Sequence, residues 1–334
     1  MASGLTWVSV VFETEVALLE LQARSMSRFL PDELVSSILV IDNSGKGMSR
    51  SAKESLLSSY GRLAPAVRIL VPGDITKVSG ATGWRSQQVL KLCVAAKVDT
   101  KHYVALDAKN HFVAAPRPGH FVSPEGRPRA HVRGFADHPL KAHLQGVLTY
   151  VGLDPAQHVD RFTETAPPFV FDRDLVLELI DDIEQRSGNP FPDEFVEHGL
   201  TEFFLYSAWL VSKGRTLDEA FEVHDEFCPV VWPGKADAAG VRRAIENVHR
   251  LHAPVFGVHR RALRRLDAEA SALLASFWSQ VGLFESTDRA LAFISEFQRT
   301  YARINRAKQL RELRYRARTL PQAAARRLSG KQTR

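Results

Sequence analysis

The chain of 334 residues contains only two cysteines, Cys93 and Cys228, which form neither a close pair nor a metal-binding spacing. This low cysteine content disfavours a disulfide scaffold and favours a reducing compartment. No apolar run reaches the length of about 18 residues that a transmembrane helix needs. The first residues also lack the positively charged segment, followed by an apolar one, that is typical of a secretory signal. We therefore expect a cytoplasmic protein with neither a membrane-spanning helix nor a secretory signal.

The sequence signatures of several common enzyme classes are also missing. Residues 12–16, at the end of the first predicted strand, do not form G-x-G-x-x-G, and this disfavours a classical dinucleotide-binding fold. Residues 45–47, Gly-Lys-Gly, lack the spacing and the hydroxyl of a P-loop. G-x-S-x-G, H-E-x-x-H and paired Cys-x-x-Cys motifs do not occur.

The composition is that of an ordinary globular protein, but its charge is unevenly distributed. Hydrophobic residues make up 45% of the chain and charged residues 25%, which suits one large domain or two moderate ones. Residues 299–334 contain twelve Lys or Arg and one acid, a net charge of +11. Because the whole chain carries +6, residues 1–298 carry −5.

The basic segment 299–334 also contains a rough apolar stripe, which includes Ile304, Leu310 and Leu313. Basic amphipathic helices of this kind lie on anionic membrane surfaces. We therefore predict a peripheral association with the inner face of the cell membrane. A solvated tail is the alternative, and the acidic body without interleaved aromatic residues argues against a nucleic-acid partner.

Short apolar runs alternate with helical patterns in the first third of the chain. Strands are predicted over residues 5–13, 37–41, 67–71 and 103–106, with helices over 18–29, 49–60 and 84–96 between them. This order predicts an α/β fold with a mostly parallel sheet and helices on both faces. Right-handed crossovers bring the carboxyl ends of parallel strands to one edge. We therefore expect Glu13, Asp42 and Asp107 to meet there.

Four polar residues follow the fourth predicted strand: Asp107, Lys109, Asn110 and His111. In open α/β sheets, ligands bind outside the carboxyl ends of the strands. This stretch is therefore a candidate floor of a binding site. A simple strand-end turn is the alternative, since Asp and Asn are common turn residues.

The helix predicted from residue 84 has a polar face. Trp84, Gln88 and Lys91 lie at positions i, i+4 and i+7, and Arg85 begins the adjoining stripe. A helix N-terminus with an arginine and glutamines nearby suits an anionic or polyhydroxyl ligand. The alternative is a solvated polar face.

The pattern loosens after residue 113, where prolines and glycines alternate in a basic stretch, and loops this long are usually functional. Further helices are predicted over residues 140–151, 175–183, 201–211 and 261–282, with short strands over 167–171, 230–232 and 254–259. Residues 287 to about 320 are predicted to form one long helix or two.

Three candidates lie in this C-terminal part. His198 and Glu202 are four residues apart at the start of a predicted helix. Glu202 could act as a general base on an acceptor hydroxyl, or serve only as a favourable acid at the helix N-terminus. His259 ends an apolar run and precedes two arginines, which suits a group that faces a phosphate.

Three blocks of the sequence resemble the DUF6492-type bacterial family. They are Gly83-Trp84-x-x-Gln87-Gln88-x-x-Lys91-Leu92, Tyr103-x-x-Leu106-Asp107-x-Lys109-Asn110 and Thr201-Glu202-Phe203-x-Leu205-Tyr206. The family looks like a branch of the GT-A glycosyltransferases. The resemblance therefore implies a GT-A-like, Rossmann-like catalytic domain over residues 1–265 and a helical C-terminal region over 266–334.

The activity implied by the resemblance is hexosyltransferase-like. It is the transfer of a sugar from a UDP- or GDP-type nucleotide-sugar donor to a glycan or lipid-linked acceptor, in polysaccharide biosynthesis. In GT-A enzymes, acids at the ends of the first two strands hold the nucleoside, and Glu13 and Asp42 lie at the matching positions. Glu202 would be the catalytic base of an inverting transfer, whereas a retaining transfer would not need it in that role.

This sequence departs from the GT-A pattern at its metal-binding signature. The usual Asp-x-Asp, which holds a divalent cation, is here Asp107-Ala108-Lys109. We predict that Lys109 supplies fixed positive charge in place of Mg²⁺ or Mn²⁺, while a single metal ion on Asp107 stays open. The residues expected in catalysis are Glu202, Asp107 and Lys109, and those expected to bind the donor are Glu13, Asp42, Trp84, Arg85, Gln88, Lys91, Asn110, His111, His198 and His259.

Two other functions remain open from the sequence. A catalytically degenerate protein of the same fold would bind a nucleotide or glycan without turnover. The replacement of Asp-x-Asp by Asp107-Ala108-Lys109 is compatible with this hypothesis. A nucleotidyltransferase would use the same sheet edge, but the paired metal-binding carboxylates that it needs are not evident.

Overall fold

The computed structural model describes residues 4–77 and 83–306. Its strands are β1 (Leu5–Val11), β2 (Val35–Asp42), β3 (Val67–Leu70), β4 (His102–Asp107), β5 (Asn110–Phe112), β6 (Arg129–Ala130), β7 (Val132–Arg133), β8 (Phe162–Thr163), β9 (Phe169–Asp172), β10 (Glu222–Val223), β11 (Val230–Val231) and β12 (Val255–Val258). Its helices are α1 (Val16–Phe29), α2 (Arg50–Ser59), α3 (Trp84–Cys93), α4 (Lys141–Tyr150), α5 (Arg173–Ser187), α6 (Phe191–Glu197), α7 (Glu202–Ser212), α8 (Leu217–Ala220), α9 (Ala238–Leu251), α10 (Arg260–Leu263), α11 (Ala268–Gln280) and α12 (residues 287–306).

The central sheet has five strands in the order β3-β2-β1-β4-β9. The first four are parallel, and β9 joins the edge antiparallel to β4. All seven residues of β1 are buried, as expected for a strand that is covered on both faces. The predicted α/β fold with a mostly parallel sheet is therefore confirmed.

Side chains of β1 alternate between two hydrophobic cores, one on each face of the sheet. Leu5 and Trp7 pack into a core shared with α1, α9, α11 and α12. Val8 and Val10 pack into a second core shared with α3, α4, α5 and α7. This alternation follows from the two-residue period of a strand, and it explains why helices are needed on both faces.

A smaller sheet, β11-β12-β5, lies beside the end of β4. In this sheet β12 pairs antiparallel with β5 and parallel with β11. The amide of Val258 donates to the carbonyl oxygen of Lys109 at 3.2 Å, so the turn after β4 is held next to the end of β12. The sequence did not predict β5, because a three-residue strand depends on its distant partner.

Three helices, α6, α8 and α9, have no counterpart among the predicted elements. The signals for α9 were present: Asp237 caps its N-terminus by accepting from Gly240 N at 2.7 Å, and Val241, Ala244 and Val248 are buried along one face. The helix predicted over 261–282 is divided into α10 and α11, since Asp267 caps a new helix.

The C-terminal helix α12 begins at residue 287 and continues to residue 306, the last described residue. Its Ala290, Ile294 and Phe297 join the same core as α1. The predicted domain boundary at residue 265 stays a prediction, and most of the basic segment 299–334 lies outside the described residues.

Candidate functional site

A cavity of about 550 Å³ opens at the carboxyl ends of β1 and β4, where Val10 and Asp107 line it. Helices α3 and α7 contribute one wall. The residues that follow β11 and β12 contribute the other. A cavity of this size at the carboxyl edge of a parallel sheet is a default candidate for a ligand site.

Two lysines and two acids form a buried charged cluster at the centre of this cavity. The ammonium nitrogen of Lys91 lies 2.7 Å from Asp107 Oδ1 and 3.2 Å from Glu202 Oε1. Lys109 donates to the second carboxylate oxygen, Oδ2, of Asp107. Lys91 and Glu202 are 4% and 5% exposed, so these charges interact with little solvent screening.

Burial and pairing shift the pKa values of this cluster in different directions. For Asp107, burial would raise the pKa, but Lys109 and Lys91 outweigh it and hold the pKa well below its usual range. For Lys91, burial would lower the pKa, but the two carboxylates raise it above its ordinary value. Burial raises the pKa of Glu202, and the attraction of Lys91 opposes this rise without cancelling it. Glu202 is therefore the more basic carboxylate of the two.

The second wall of the cavity is basic and aromatic. The Lys109 ammonium lies 5.5 Å from the ring centroid of Trp232, and the His259 ring lies 5.8 Å from that of Trp232. Arg260 also lines this wall and pairs with Glu15. Burial, together with the nearby cations, lowers the pKa of His259 to about 4, so its imidazole is neutral near pH 7.

Helix α3 presents the face that its spacing predicted. Trp84, Gln88 and Lys91 all line the cavity. Trp84 is 53% exposed, and its ring contacts His143 of α4 in an edge-on arrangement with 5.9 Å between centroids. The helix therefore carries an aromatic surface at its N-terminal end and a buried ammonium two turns later.

Arg85 and His198 were predicted to bind the donor, but neither is among the described side chains that line the cavity. The Arg85 guanidinium packs on Gly199, where an added Cβ would lie 3.4 Å from it. His198 Nε2 lies 3.1 Å from Glu194 Oε1. Both side chains therefore support the loop that precedes Glu202.

Asn110 and His111 are buried beneath the turn that carries Lys109. Asn110 Oδ1 accepts from the amide of Asp107 at 2.8 Å. His111 Nε2 accepts from Trp278 Nε1 at 2.8 Å, and burial lowers the pKa of His111 to about 3. Their polar groups are satisfied by the protein, so in this structure they shape the turn.

Glu13 and Asp42 both accept hydrogen bonds from the loop that follows β2. Glu13 Oε1 accepts from Gly45 N at 2.8 Å, while the 1% exposed Asp42 accepts from the amide and hydroxyl of Ser44 and from the amide of Met48. Neither acid is among the described residues that line the cavity. Strand register places Asp42 beside Val11 and Asp107 beside Val10, so both acids lie at the expected sheet edge, and donor binding by Glu13 and Asp42 stays a prediction.

Several cavity residues were not singled out from the sequence, among them Glu15, Arg133, His138, Glu164 and Trp232. Arg133 Nη1 lies 3.0 Å from Glu164 Oε1. Trp232 precedes a Pro-Gly turn at the end of a predicted strand, which was the only local signal. Arg133 ends the short strand β7, and the other residues lie in connecting segments, so their positions depend on tertiary packing.

The cluster around Asp107 does not fit a divalent cation. Mg²⁺ and Mn²⁺ take hard oxygen ligands, but both carboxylate oxygens of Asp107 are bound by ammonium groups. Within the described ranges, no group of three His, Cys, Asp or Glu side chains is placed to hold a metal ion.

A family model described as "Family of unknown function (DUF6492)" matches residues 9–229. The chain belongs to the DUF6492 family. The predicted resemblance is thus confirmed over about two thirds of the sequence, including the three motif blocks. No curated protein matches this DUF6492 chain.

Solved structures similar to this DUF6492 protein include several glycosyltransferases. The galactosyltransferase LgtC, in complex with donor and acceptor sugar analogues, is 11% identical, with a TM-score of 0.47 over 83% of this chain and 95% of that one. The apo structure of the bifunctional glycosyltransferase WbbM is 10% identical, with a TM-score of 0.45 over 77% of this chain and 46% of that one. Apo mouse xyloside xylosyltransferase 1 is 11% identical, with a TM-score of 0.41 over 76% of this chain and 97% of that one.

In the described part of this DUF6492 protein, no helix has both the length and the apolar character needed to cross a membrane.

Proposed function

We propose that this protein is a hexosyltransferase-like glycosyltransferase that moves a sugar from a UDP- or GDP-type donor to a glycan or lipid-linked acceptor. The observation that carries the proposal is the placement of Glu202 and Lys109 on opposite sides of Asp107 in one cavity, with Lys91 bridging the two acids. This arrangement offers a base and a source of positive charge to a single reaction centre.

The basic wall suits the leaving diphosphate. As the bond between the anomeric carbon and the phosphate oxygen breaks, its electron pair goes to that oxygen. Lys109 and Arg260 line the cavity where this negative charge would develop, and fixed cations aimed at developing charge are a strong source of rate enhancement. Trp232, which contacts both Lys109 and His259, offers a flat surface to the donor.

The opposite wall suits the acceptor hydroxyl. Glu202 would take the proton of that hydroxyl while its oxygen forms the new bond to the anomeric carbon. Burial raises the pKa of Glu202, which makes it a better proton acceptor than an exposed glutamate. Lys91 would then stabilise the ionised form of Glu202 before transfer.

Positive charge from Lys109 takes the place of a metal ion in this proposal. The donor set around Asp107 supports this, because two ammonium groups already occupy both carboxylate oxygens. Asp107 would orient Lys91 and Lys109 rather than ligate a cation.

Nucleotide binding and turnover test the proposal separately. We expect UDP or GDP to raise the melting temperature, because a ligand that binds only the native state stabilises it. In a panel of UDP- and GDP-sugars, at least one should release its nucleotide, and Glu202→Gln should slow this release by about 10²–10⁴-fold without removing the thermal shift. Glu197→Gln, an exposed change on α6, is the matched control.

The outcome also separates catalysis from binding alone. A thermal shift with no nucleotide release for any donor would favour the degenerate binding protein. No thermal shift with either nucleotide would contradict both functions.

We also propose that residues 299–334 hold the protein at an anionic membrane surface, on the basis of their net charge of +11. Full-length protein should sediment with phosphatidylserine vesicles at low salt and be released at high salt. Deletion of residues 307–334 leaves the described residues intact, and unchanged sedimentation after this deletion would contradict the proposal.

A further inference from the structure

The cavity has two chemically different walls, and Asp107 lies between them. One oxygen of Asp107 accepts from Lys91 of α3, and the other accepts from Lys109. Lys109 belongs to the basic wall with Trp232 and His259. Lys91 belongs to the α3 wall, which it shares with Glu202. The carboxylate available to take a proton is therefore on the α3 wall.

Trp84 is the largest exposed apolar surface on the α3 wall. Its indole is 53% exposed, although it lines a cavity, and one edge is held against His143. Pro139 and Leu140 line the cavity from the segment just before α4. Trp84 and Lys91 lie about 10 Å apart along the helix axis, since seven residues rise 1.5 Å each. This spacing leaves room for a sugar-sized group beside Glu202.

Two buried polar side chains of the α3 wall each have an oxygen atom without a partner in the described part of the chain. Gln88 and Thr201 are 1% and 5% exposed and line the cavity. Gln88 Oε1 and Thr201 Oγ1 have no hydrogen-bond partner within the described part of the chain. Because an unpaired buried polar atom costs free energy, these atoms favour a hydroxyl-bearing ligand on this wall.

We propose that Trp84 is the platform of the acceptor subsite, where it stacks on the apolar face of a pyranose ring. This inference rests on the proposed glycosyl transfer, because the acceptor must approach the carboxylate that takes its proton. Gln88 and Thr201 would bond to the ring hydroxyls, and Arg133 with Glu164 would bond to hydroxyls at the outer end. Trp232 then serves the donor alone, and the two exposed tryptophans of the cavity have different ligands.

Saturation-transfer difference NMR with methyl glycosides of glucose, galactose and mannose tests this assignment in the presence of UDP or GDP. The full chain is compared with Trp84→Ala, Trp84→Phe and Trp232→Ala. We expect Trp84→Ala to weaken binding of the glycoside by about fivefold, which is the size of one aromatic contact, and Trp84→Phe to retain most of it. The thermal shift produced by the nucleotide should survive in both Trp84 variants.

Trp232→Ala should show the opposite pattern, with a smaller nucleotide shift and unchanged saturation of the glycoside. Glycoside saturation that is unchanged in Trp84→Ala, or absent in the unmodified protein, would overturn the acceptor subsite. Loss of the nucleotide shift in Trp84→Ala would also overturn it, because Trp84 would then belong to the donor. A missing nucleotide shift in the unmodified protein would instead contradict the proposed function itself.

Discussion

The ammonium nitrogen of Lys91 lies 3.2 Å from Glu202 Oε1, although the two residues are 111 positions apart in the chain. The same nitrogen lies 2.7 Å from Asp107 Oδ1. One buried cation therefore joins α3 to both the end of β4 and the start of α7. This contact couples the stability of the domain to the geometry of its candidate base.

Removal of the Lys91 charge should destabilise the protein strongly. Lys91→Met leaves Glu202 buried without its partner, and breaking a buried ion pair in this way costs about 3 kcal/mol or more. Urea unfolding at pH 7 measures the change. Lys213→Met, which breaks an exposed pair with Asp182, should cost at most about 1 kcal/mol.

A double variant separates the charge from the packing of Lys91. Lys91→Met combined with Glu202→Gln removes both charges, so it should cost less than the sum of the two single changes. Strict additivity would show that the two side chains are not coupled.

The rate of nucleotide release should depend on pH through Glu202. A base must be ionised, and burial raises the pKa of Glu202 above its ordinary value of 4.5. The rate should therefore rise with pH, with a midpoint above 4.5. The positive charge of Lys91 lowers the pKa of Glu202. Lys91→Met removes this charge, so the midpoint of the rate profile should move to higher pH. A midpoint that moves to lower pH in this variant would show that another group controls the profile.

Lys109 should replace a metal ion in the reaction. Nucleotide release should be unchanged by EDTA, and Lys109→Met should slow it by about 10²–10³-fold, as expected when one electrostatic contact to the transition state is lost. Lys109→Arg keeps the charge and should retain much of the rate. Complete loss in EDTA followed by full recovery with Mn²⁺ would contradict this role.

His111 should stabilise the fold without contacting the nucleotide. His111→Phe leaves the buried Trp278 Nε1–H without an acceptor, which should lower the free energy of unfolding by about 1–3 kcal/mol. Calorimetry or urea unfolding measures this cost. The thermal shift with UDP or GDP should keep its size. If His111→Phe had unchanged stability but no longer bound either nucleotide, His111 would be a ligand-binding residue and the predicted structural role would be wrong.

The local sequence predicted the elements that depend on local chemistry. Short apolar runs between helical patterns predicted β1 to β4. The spacing of Trp84, Gln88 and Lys91 predicted the helix face that lines the cavity. The polar residues after β4 located the floor of the site. The capping residue Asp237 and the apolar face of α9 are local signals of the same kind.

The sequence could not separate cavity residues from supporting residues. Asp107, Lys109, Asn110 and His111 are nearly consecutive, yet two line the cavity and two are buried beneath it. The turn after β4 and the pairing of β5 with β12 decide which side chains point into the cavity. Glu13 and Asp42 reached the expected sheet edge, but their hydrogen bonds hold the following loop.

The sequence by itself determined the α/β order, the parallel sheet, the family and the position of Lys109 two residues after Asp107. Only the tertiary structure decided that Lys91 bridges Asp107 and Glu202, and that Trp232 and His259 stand beside Lys109. The physical reason is that hydrophobic periodicity and capping act over a few residues. The charged cluster is instead assembled by strand pairing and core packing between segments that are far apart in the chain.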